Sequence, residues 1–317
     1  GHHSAGMLAI LAVIASKPHF LSLKFNRDFY TLRFKELNMP SLLSRYQQPD
    51  ATGQTQNITP ARAGWQHVGF TVYELQAGQQ LSFAADSDER CLVLLGGMAT
   101  VTTPHAEYAA IGERDNPFAC EPAQSGGQHK KPYAVYVTQG DSCQITALSP
   151  LELAVCRAPG KGTYPSRLIT PADIGAEARG RGHNRRYVHN ILPDTAQADS
   201  LLVVEVFTEE GCTSSYPSHK HDTANPPHET YLEETYYHRI NPPQGFCFQR
   251  VYTDDRSLDE SMAVHDKDVV MAPRGYHPVA TLAGYDNYYL NVMAGPVRQW
   301  RFTWEPEHAW INTEAYA

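Results

Sequence analysis

From residue 65 to residue 304 the apolar residues of this chain come in short runs, and almost every run is closed by a turn-forming residue. Residues 68–75 alternate apolar and polar, Gln76-Ala77-Gly78 turns the chain, and residues 80–83 begin the next extended run. Residues 91–95 are unbroken apolar, the pattern of a strand covered on both faces, and Gly96-Gly97 turns into residues 98–102. Helical periodicity is weak in between. With 22 Pro, 22 Gly and 18 Tyr among 317 residues, the succession predicts an all-β protein. A chain of this length buries a sufficient core without staples, so stability need not depend on a metal.

The runs are organised as a duplication. Val135-Tyr136-Val137-Thr138-Gln139-Gly140-Asp141-Ser142 aligns with Val270-Met271-Ala272-Pro273-Arg274-Gly275-Tyr276-His277, and the strand pair after each ends in Ala158-Pro159 or Ala294-Gly295-Pro296. Two tandem barrels are expected, residues 39–165 and 200–317, joined by a connector at 166–199. Within the connector, Thr170 as N-cap with Pro171 behind it predicts a short helix, and residues 180–186 read as a basic loop. Gly1-His2-His3-Ser4-Ala5-Gly6 reads as the remnant of a purification tag, and residues 1–38 as tag plus an upstream appendage. The apolar stretch 7–15 lacks the basic flank of a signal peptide and is too short to span a bilayer.

The two copies differ in chemistry. In His219-Lys220-His221 an extended backbone points both imidazoles to one face, because side chains alternate with period two. A carboxylate from the next strand and His277 from a distant turn complete a set of three nitrogens and one oxygen that suits a divalent metal, Zn, Mn, Fe, Co or Ni alike. Glu234 is the favoured carboxylate, because it opens a strand and shares a face with Tyr236; Glu229 and Glu233 are its rivals. Where the second copy has His219, His221 and His277 the first has Ala84, Asp86 and Ser142, with Glu89 aligned to Glu234. The first barrel is therefore expected to be metal-free. His189 and His238 are the remaining histidines with a claim on the site, and the others read as surface or packing residues.

The totals exclude other classes. A net charge of −8 with scattered Lys and Arg argues against a nucleic-acid surface, and nothing suggests a membrane partner. Six cysteines far apart in sequence, with no C-x-x-C pair, predict reduced and mostly buried thiols in a cytoplasmic protein.

An H-x-H pair, then a Glu, then a Pro-x-Gly turn with a His, set among short strands, resembles the cupin superfamily. A duplicated chain of this kind resembles a bicupin, two tandem double-stranded β-helix (jelly-roll) barrels. Five motifs in order carry a closer resemblance. They are the run from Pro217 through His219-Lys220-His221 to Asp222, the run from Glu229 to Tyr237, residues 245–255, Pro273-Arg274-Gly275-Tyr276-His277-Pro278, and residues 288–296. From about Ser41 to Trp310 the chain resembles the 5-deoxy-glucuronate isomerase family of inositol catabolism.

The related 4-deoxy-5-keto-uronate isomerases share a His, His, Glu, His metal shell, which the resemblance carries onto His219, His221, Glu234 and His277. It implies a metal-dependent aldose–ketose isomerase taking 5-deoxy-glucuronate to 5-dehydro-2-deoxy-gluconate. Glu233, Tyr236 and Tyr289 are then candidates for the base, and Arg186, Arg250 and Arg274 for the fork that holds a sugar-acid carboxylate. A cupin dioxygenase, another sugar-acid isomerase and a non-catalytic sugar-acid binder are the alternatives, and a homo-oligomer is left open. Two departures stand out. Lys267 replaces the glycine of the general cupin motif, and only Tyr276 separates Gly275 from His277 where that motif has two residues.

Overall fold

The computed structural model describes residues 23–25, 28–30, 41–125 and 128–312. The expectation that residues 1–38 are an appendage falls mostly outside the described residues; within that range Leu23–Phe25 pairs with Asp28–Tyr30 as a short antiparallel ladder.

The described chain is nearly all β, as expected, and folds as two antiparallel barrels. In the first, a six-stranded sheet runs in the order Arg167–Ile169, Ala134–Val137, Asp88–Gly96, Leu151–Pro159, Gly69–Leu75, Gln54–Ile58. Its companion sheet runs Gln80–Phe83, Cys143–Ala147, Ala99–Thr102, Glu107–Ile111. In the second, a seven-stranded sheet runs Gly175–Arg179, Arg186–Leu192, Leu202–Thr208, Asp286–Ala294, Glu233–Asn241, Val269–Ala272, Leu43–Ser44, with Thr213–Ser214, Val279–Thr281, Phe246–Tyr252 and Asp259–His265 as its companion.

Period two explains how one strand serves two cores. On Asp88–Gly96, Leu92 and Leu94 point into the first barrel, while Cys91, Val93 and Leu95 join a core shared with the second, beside Val203, Phe207, Tyr288 and Leu290. Each such side chain, removed from water, contributes roughly 1.5–3 kcal/mol. The apolar run thus reflects a sheet buried between its own barrel and its neighbour. In the second barrel Val251, Val264 and Val270 belong to the apolar core, while Val204 and Val206 of the same core also border the cavity that holds His219 and Glu234.

Residues 166–199, expected as a connector, carry strands of both barrels: Arg167–Ile169 edges the first, and Gly175–Arg179 with Arg186–Leu192 edges the second. Residues 186–192 show no clean alternation in the sequence because Arg186 shares the cavity face with Val188 while His189, on the other face, is buried against Glu205. The short helix predicted after Thr170 is a 3-10 turn, Pro171–Asp173, in which the Asp173 carboxylate accepts from the Thr170 backbone N–H and hydroxyl at 2.8 and 2.9 Å. Five of the six thiols are buried and all six are free; Cys120 is exposed. Among the described residues no helix is long and apolar enough to cross a membrane.

Candidate metal centre and its cavity

His219 lies on a two-residue strand, His219–Lys220, paired with Thr303–Trp304, and its ring packs against Phe302 at 4.6 Å between centroids. Alternation then sends Lys220 the other way, to Glu229 at 2.9 Å and Asp222 at 3.0 Å, and returns His221 to the same side as His219. His277 arrives from a turn that needs glycine: Gly275 holds φ +82°, and a Cβ there would lie 2.3 Å from the Tyr252 carbonyl oxygen. The Asp222 carboxylate accepts from the Gly275 N–H at 2.8 Å and so ties this turn to the H-x-H segment.

One ligating atom from each of His219, His221 and His277 lies within 4.8 Å of the others. Glu234 reaches in from the start of Glu233–Asn241, with Oε1 3.3 Å from His277 Nε2 and Oε2 3.6 Å from His221 Nε2. His221 Nδ1 donates to the Leu232 carbonyl at 2.9 Å and His277 Nδ1 to the Gly275 carbonyl at 3.0 Å. That fixes the neutral tautomer with each Nε2 lone pair turned inward. His221 Nε2, His277 Nε2 and Glu234 Oε1 are buried without hydrogen-bond partners, which is costly unless something binds them.

The electrostatics fit a cation. Burial and the neighbouring His277 and His221 hold His219 well below its usual range; burial likewise lowers His277, against the pull of Glu234. At His221 burial lowers the pKa, but the nearby Glu234 carboxylate outweighs it and the pKa rises. Burial opposes ionisation of Glu234, but His277 and His221 prevail and lower its pKa. Three buried imidazoles within 4.8 Å of one another, with a carboxylate 3.3 and 3.6 Å from two of them, are a suitable donor set for a divalent metal.

The rival carboxylates are committed elsewhere. Glu229 accepts from Lys220, from the N–H groups of Asp222 and Thr223 at 3.0 and 2.9 Å, and from Thr303 Oγ1 at 2.6 Å. Glu233, 0% exposed, faces the other barrel, where it accepts the N–H groups of Gln66, His67 and Val68 at 3.1, 2.7 and 3.0 Å and His67 Nδ1–H at 2.9 Å. It is therefore withdrawn as a base. Its geometry also corrects the alignment of the copies. Ala158 pairs with Glu89 and Ala294 with Glu233, so Glu89 matches Glu233 and Arg90 matches Glu234. Arg90, 1% exposed, fills the corresponding place in the first barrel: its Nη2 donates to the Ala84 carbonyl at 2.9 Å and to Asp86 at 2.8 Å. A fixed guanidinium thus stands where the second barrel gathers its His and Glu cluster.

A cavity of about 380 Å³ opens onto His219 and Glu234, with Arg179, Arg186, Ser215, Tyr236, Tyr289 and Asn291 in its wall and Trp300, Phe302 and Trp304 beside them. A larger, more open depression of about 620 Å³ around Glu74 and Glu152 in the first barrel contains none of the ligand cluster. Of the predicted arginines, Arg186 is at the cavity, where burial lowers its pKa and Asn184 O accepts from Nη1 at 2.9 Å. Arg250 is paired with Asp259 at 2.8 and 2.9 Å and stacked 4.0 Å over Tyr252; Arg274 is exposed; neither lines the cavity.

Tyr236 and Tyr289 are both present, their pKa values raised chiefly by burial, and hydroxyl contacts join them through Ser215. His238 is buried between Gln249 and Asn287 at 2.8 and 3.2 Å, and His189 bonds Glu205 at 2.6 Å. Neither reaches the cluster. Sequence reasoning missed Arg179, Ser215 and Asn291, which sit in segments read as loop or as core.

The sequence pattern of the KduI/IolB family matches residues 42–311. A 5-deoxy-glucuronate isomerase of Geobacillus thermodenitrificans is 56% identical over 263 residues, covering 83% of this chain and 93% of that protein. The protein of the same name from Bacillus subtilis strain 168 is 46% identical over 255 residues, covering 80% and 91%. The crystal structure of an IolB-like protein from Salmonella typhimurium LT2 is similar at TM-score 0.81 and 57% identity, over 86% of this chain and all of the other. Oxalate decarboxylase from Bacillus subtilis, at TM-score 0.54 and 12% identity over 81% of this chain and 76% of the other, shares the cupin fold alone. On the extent of the match and the identity to these relatives, the chain belongs to the KduI/IolB family.

Proposed function

We propose that this protein is an aldose–ketose isomerase of inositol catabolism that converts 5-deoxy-glucuronate to 5-dehydro-2-deoxy-gluconate. The observation that carries the reading is Arg186: a guanidinium largely withdrawn from water, with no carboxylate at ion-pair distance among the described residues and Glu177 acting on it only weakly, in the same cavity as the His and Glu cluster. A buried charge without a counter-ion is costly, and the carboxylate of a sugar acid supplies one in fork geometry.

His219, His221, Glu234 and His277 would hold a divalent metal, and a metal so bound supplies Lewis acidity toward the carbonyl and hydroxyl oxygens at the reacting end of the sugar. Arg186 seats the far end. Trp300, Phe302 and Trp304 keep one wall apolar and limit water. Tyr236 and Tyr289 line the same cavity, in which an aldose–ketose conversion must move one hydrogen between carbons and one between oxygens.

Anaerobic incubation of metal-replete protein with 5-deoxy-glucuronate, followed by NMR with and without chelator, tests the proposal. Chelator-sensitive formation of the keto acid is expected. A need for oxygen would identify a dioxygenase, and affinity without conversion a sugar-acid binder; either would overturn the isomerase.

A further inference from the structure

We propose that the hydroxyls of Tyr289, Ser215 and Tyr236 form a relay that carries a proton from the hydroxyl oxygen on C2 of the substrate to the aldehyde oxygen on C1, with Ser215 as the middle member. The proposal rests on the isomerase reading above. An aldose–ketose conversion needs no oxidant: C2 and its oxygen each lose a hydrogen, and C1 and its oxygen each gain one. The oxygen-to-oxygen transfer requires groups that give and take a proton in concert.

Ser215 Oγ lies 2.8 Å from the Tyr236 hydroxyl and 3.3 Å from that of Tyr289, and all three residues line the cavity that opens onto His219 and Glu234. Each hydroxyl donates one hydrogen bond and accepts others. Tyr289 therefore takes the proton from the C2 oxygen and passes its own to Ser215. Ser215 passes its proton to Tyr236, and Tyr236 protonates the C1 oxygen. Every side-chain oxygen finishes with one hydrogen, and none ends ionised.

The supports are rigid. Tyr236 and Tyr289 stand on the paired central strands Glu233–Asn241 and Asp286–Ala294, their rings 4.8 Å apart. Behind Tyr289, the Ser214 oxygen accepts at 2.8 Å and itself takes a hydrogen bond from Thr208 at 2.8 Å. Turning the Tyr289 hydrogen from Ser214 to Ser215 is rotation about one C–O bond. Ser215 is a non-glycine residue at φ +48°, a left-handed conformation that costs about 1 kcal/mol or more and is found where surrounding structure and function demand it. Glycine would relieve that cost, and the position holds a hydroxyl instead.

Ser215→Gly removes the hydroxyl while easing the backbone, and Ser215→Ala is the second variant. Both are expected to lower kcat about tenfold or more with KM changed less than about twofold and metal content unaltered. The bowed dependence of kcat on the deuterium fraction of the solvent, expected for the wild-type protein, should become straight in both. Full kcat in the variants, a straight dependence in the wild-type protein, or activity lost together with the metal would each overturn the relay. Absence of turnover in metal-replete wild-type protein would overturn the isomerase reading instead.

Discussion

Glu89 and Glu233 perform the same task from opposite barrels. Glu89 accepts the N–H groups of Asp199, Ser200 and Leu201, which lead into Leu202–Thr208 of the second barrel. Glu233 accepts those of Gln66, His67 and Val68, which lead into Gly69–Leu75 of the first. The duplication has kept a reciprocal clamp while the adjacent residue diverged to Arg90 on one side and Glu234 on the other. Glu233→Ala leaves three backbone donors without their carboxylate, at a cost on the order of 3–5 kcal/mol. Thermal unfolding should register that loss while the metal content of folded protein stays unchanged; normal stability with abolished turnover would restore Glu233 as a catalytic residue.

Metal stoichiometry follows from the divergence. Arg90 occupies the first barrel's site and bonds Asp86, the counterpart of His221, so one divalent ion per chain is expected by elemental analysis. Glu234→Ala should abolish metal retention and activity together, whereas two ions per chain would contradict the reading of the first barrel.

Much of this was legible in the sequence, and what was not has physical causes. Strand alternation placed His219 and His221 on one face, and the glycine-dependent turn brought His277 to them. Lys267 adopts φ +71°, so the turn keeps the left-handed conformation that the general motif fills with glycine, and its Nζ reaches Glu74 at 2.6 Å. The one-residue error that aligned Glu89 with Glu234 could not be resolved without strand register, because adjacent residues on a strand face opposite sides and Glu233-Glu234 offers the same side chain to both. Arg179 and Ser215 were missed because nothing in a short polar segment reveals which cavity it borders.

Arg186→Ala is expected to raise KM for the sugar acid roughly tenfold to a hundredfold, from the ~1.5–3 kcal/mol of a hydrogen bond to a charged group. Metal binding should be unaffected. Arg250→Ala, at an arginine paired with Asp259 away from the cavity, should leave KM unchanged. Equal effects from the two variants would remove Arg186 as the carboxylate seat.

The interface between the barrels predicts acid sensitivity. Arg114 reaches from the first barrel to both oxygens of Glu205 at 2.8 Å, and Tyr288 and His189 complete the shell. Burial opposes ionisation of Glu205, yet Arg114 and His189 lower its pKa to about 2. Because the folded value lies below the unfolded one, near 4.5, this group's stabilisation is full above that range and is lost as pH falls toward 2. Glu205→Ala should destabilise the protein by about 3–5 kcal/mol at neutral pH and flatten the acid limb of its stability curve. An unchanged acid limb in that variant would show that other carboxylates set it.

The cavity wall also bears on how hydrogen travels between carbons. Among its described residues Glu234 is the one carboxylate and His219 the one imidazole, and both belong to the ligand cluster. No independent side chain of the usual basic kind faces the substrate carbons. The hydrogen on C2 is therefore expected to pass directly to C1, with the hydroxyl relay handling the oxygens alone. Substrate deuterated at C2 and turned over in ordinary water should yield product that keeps the deuterium at C1, read by NMR. Reaction of unlabelled substrate in D2O should place no deuterium there. Extensive exchange in either direction would require a base that abstracts the proton and shares it with solvent, and would return Tyr236 or Tyr289 to that role.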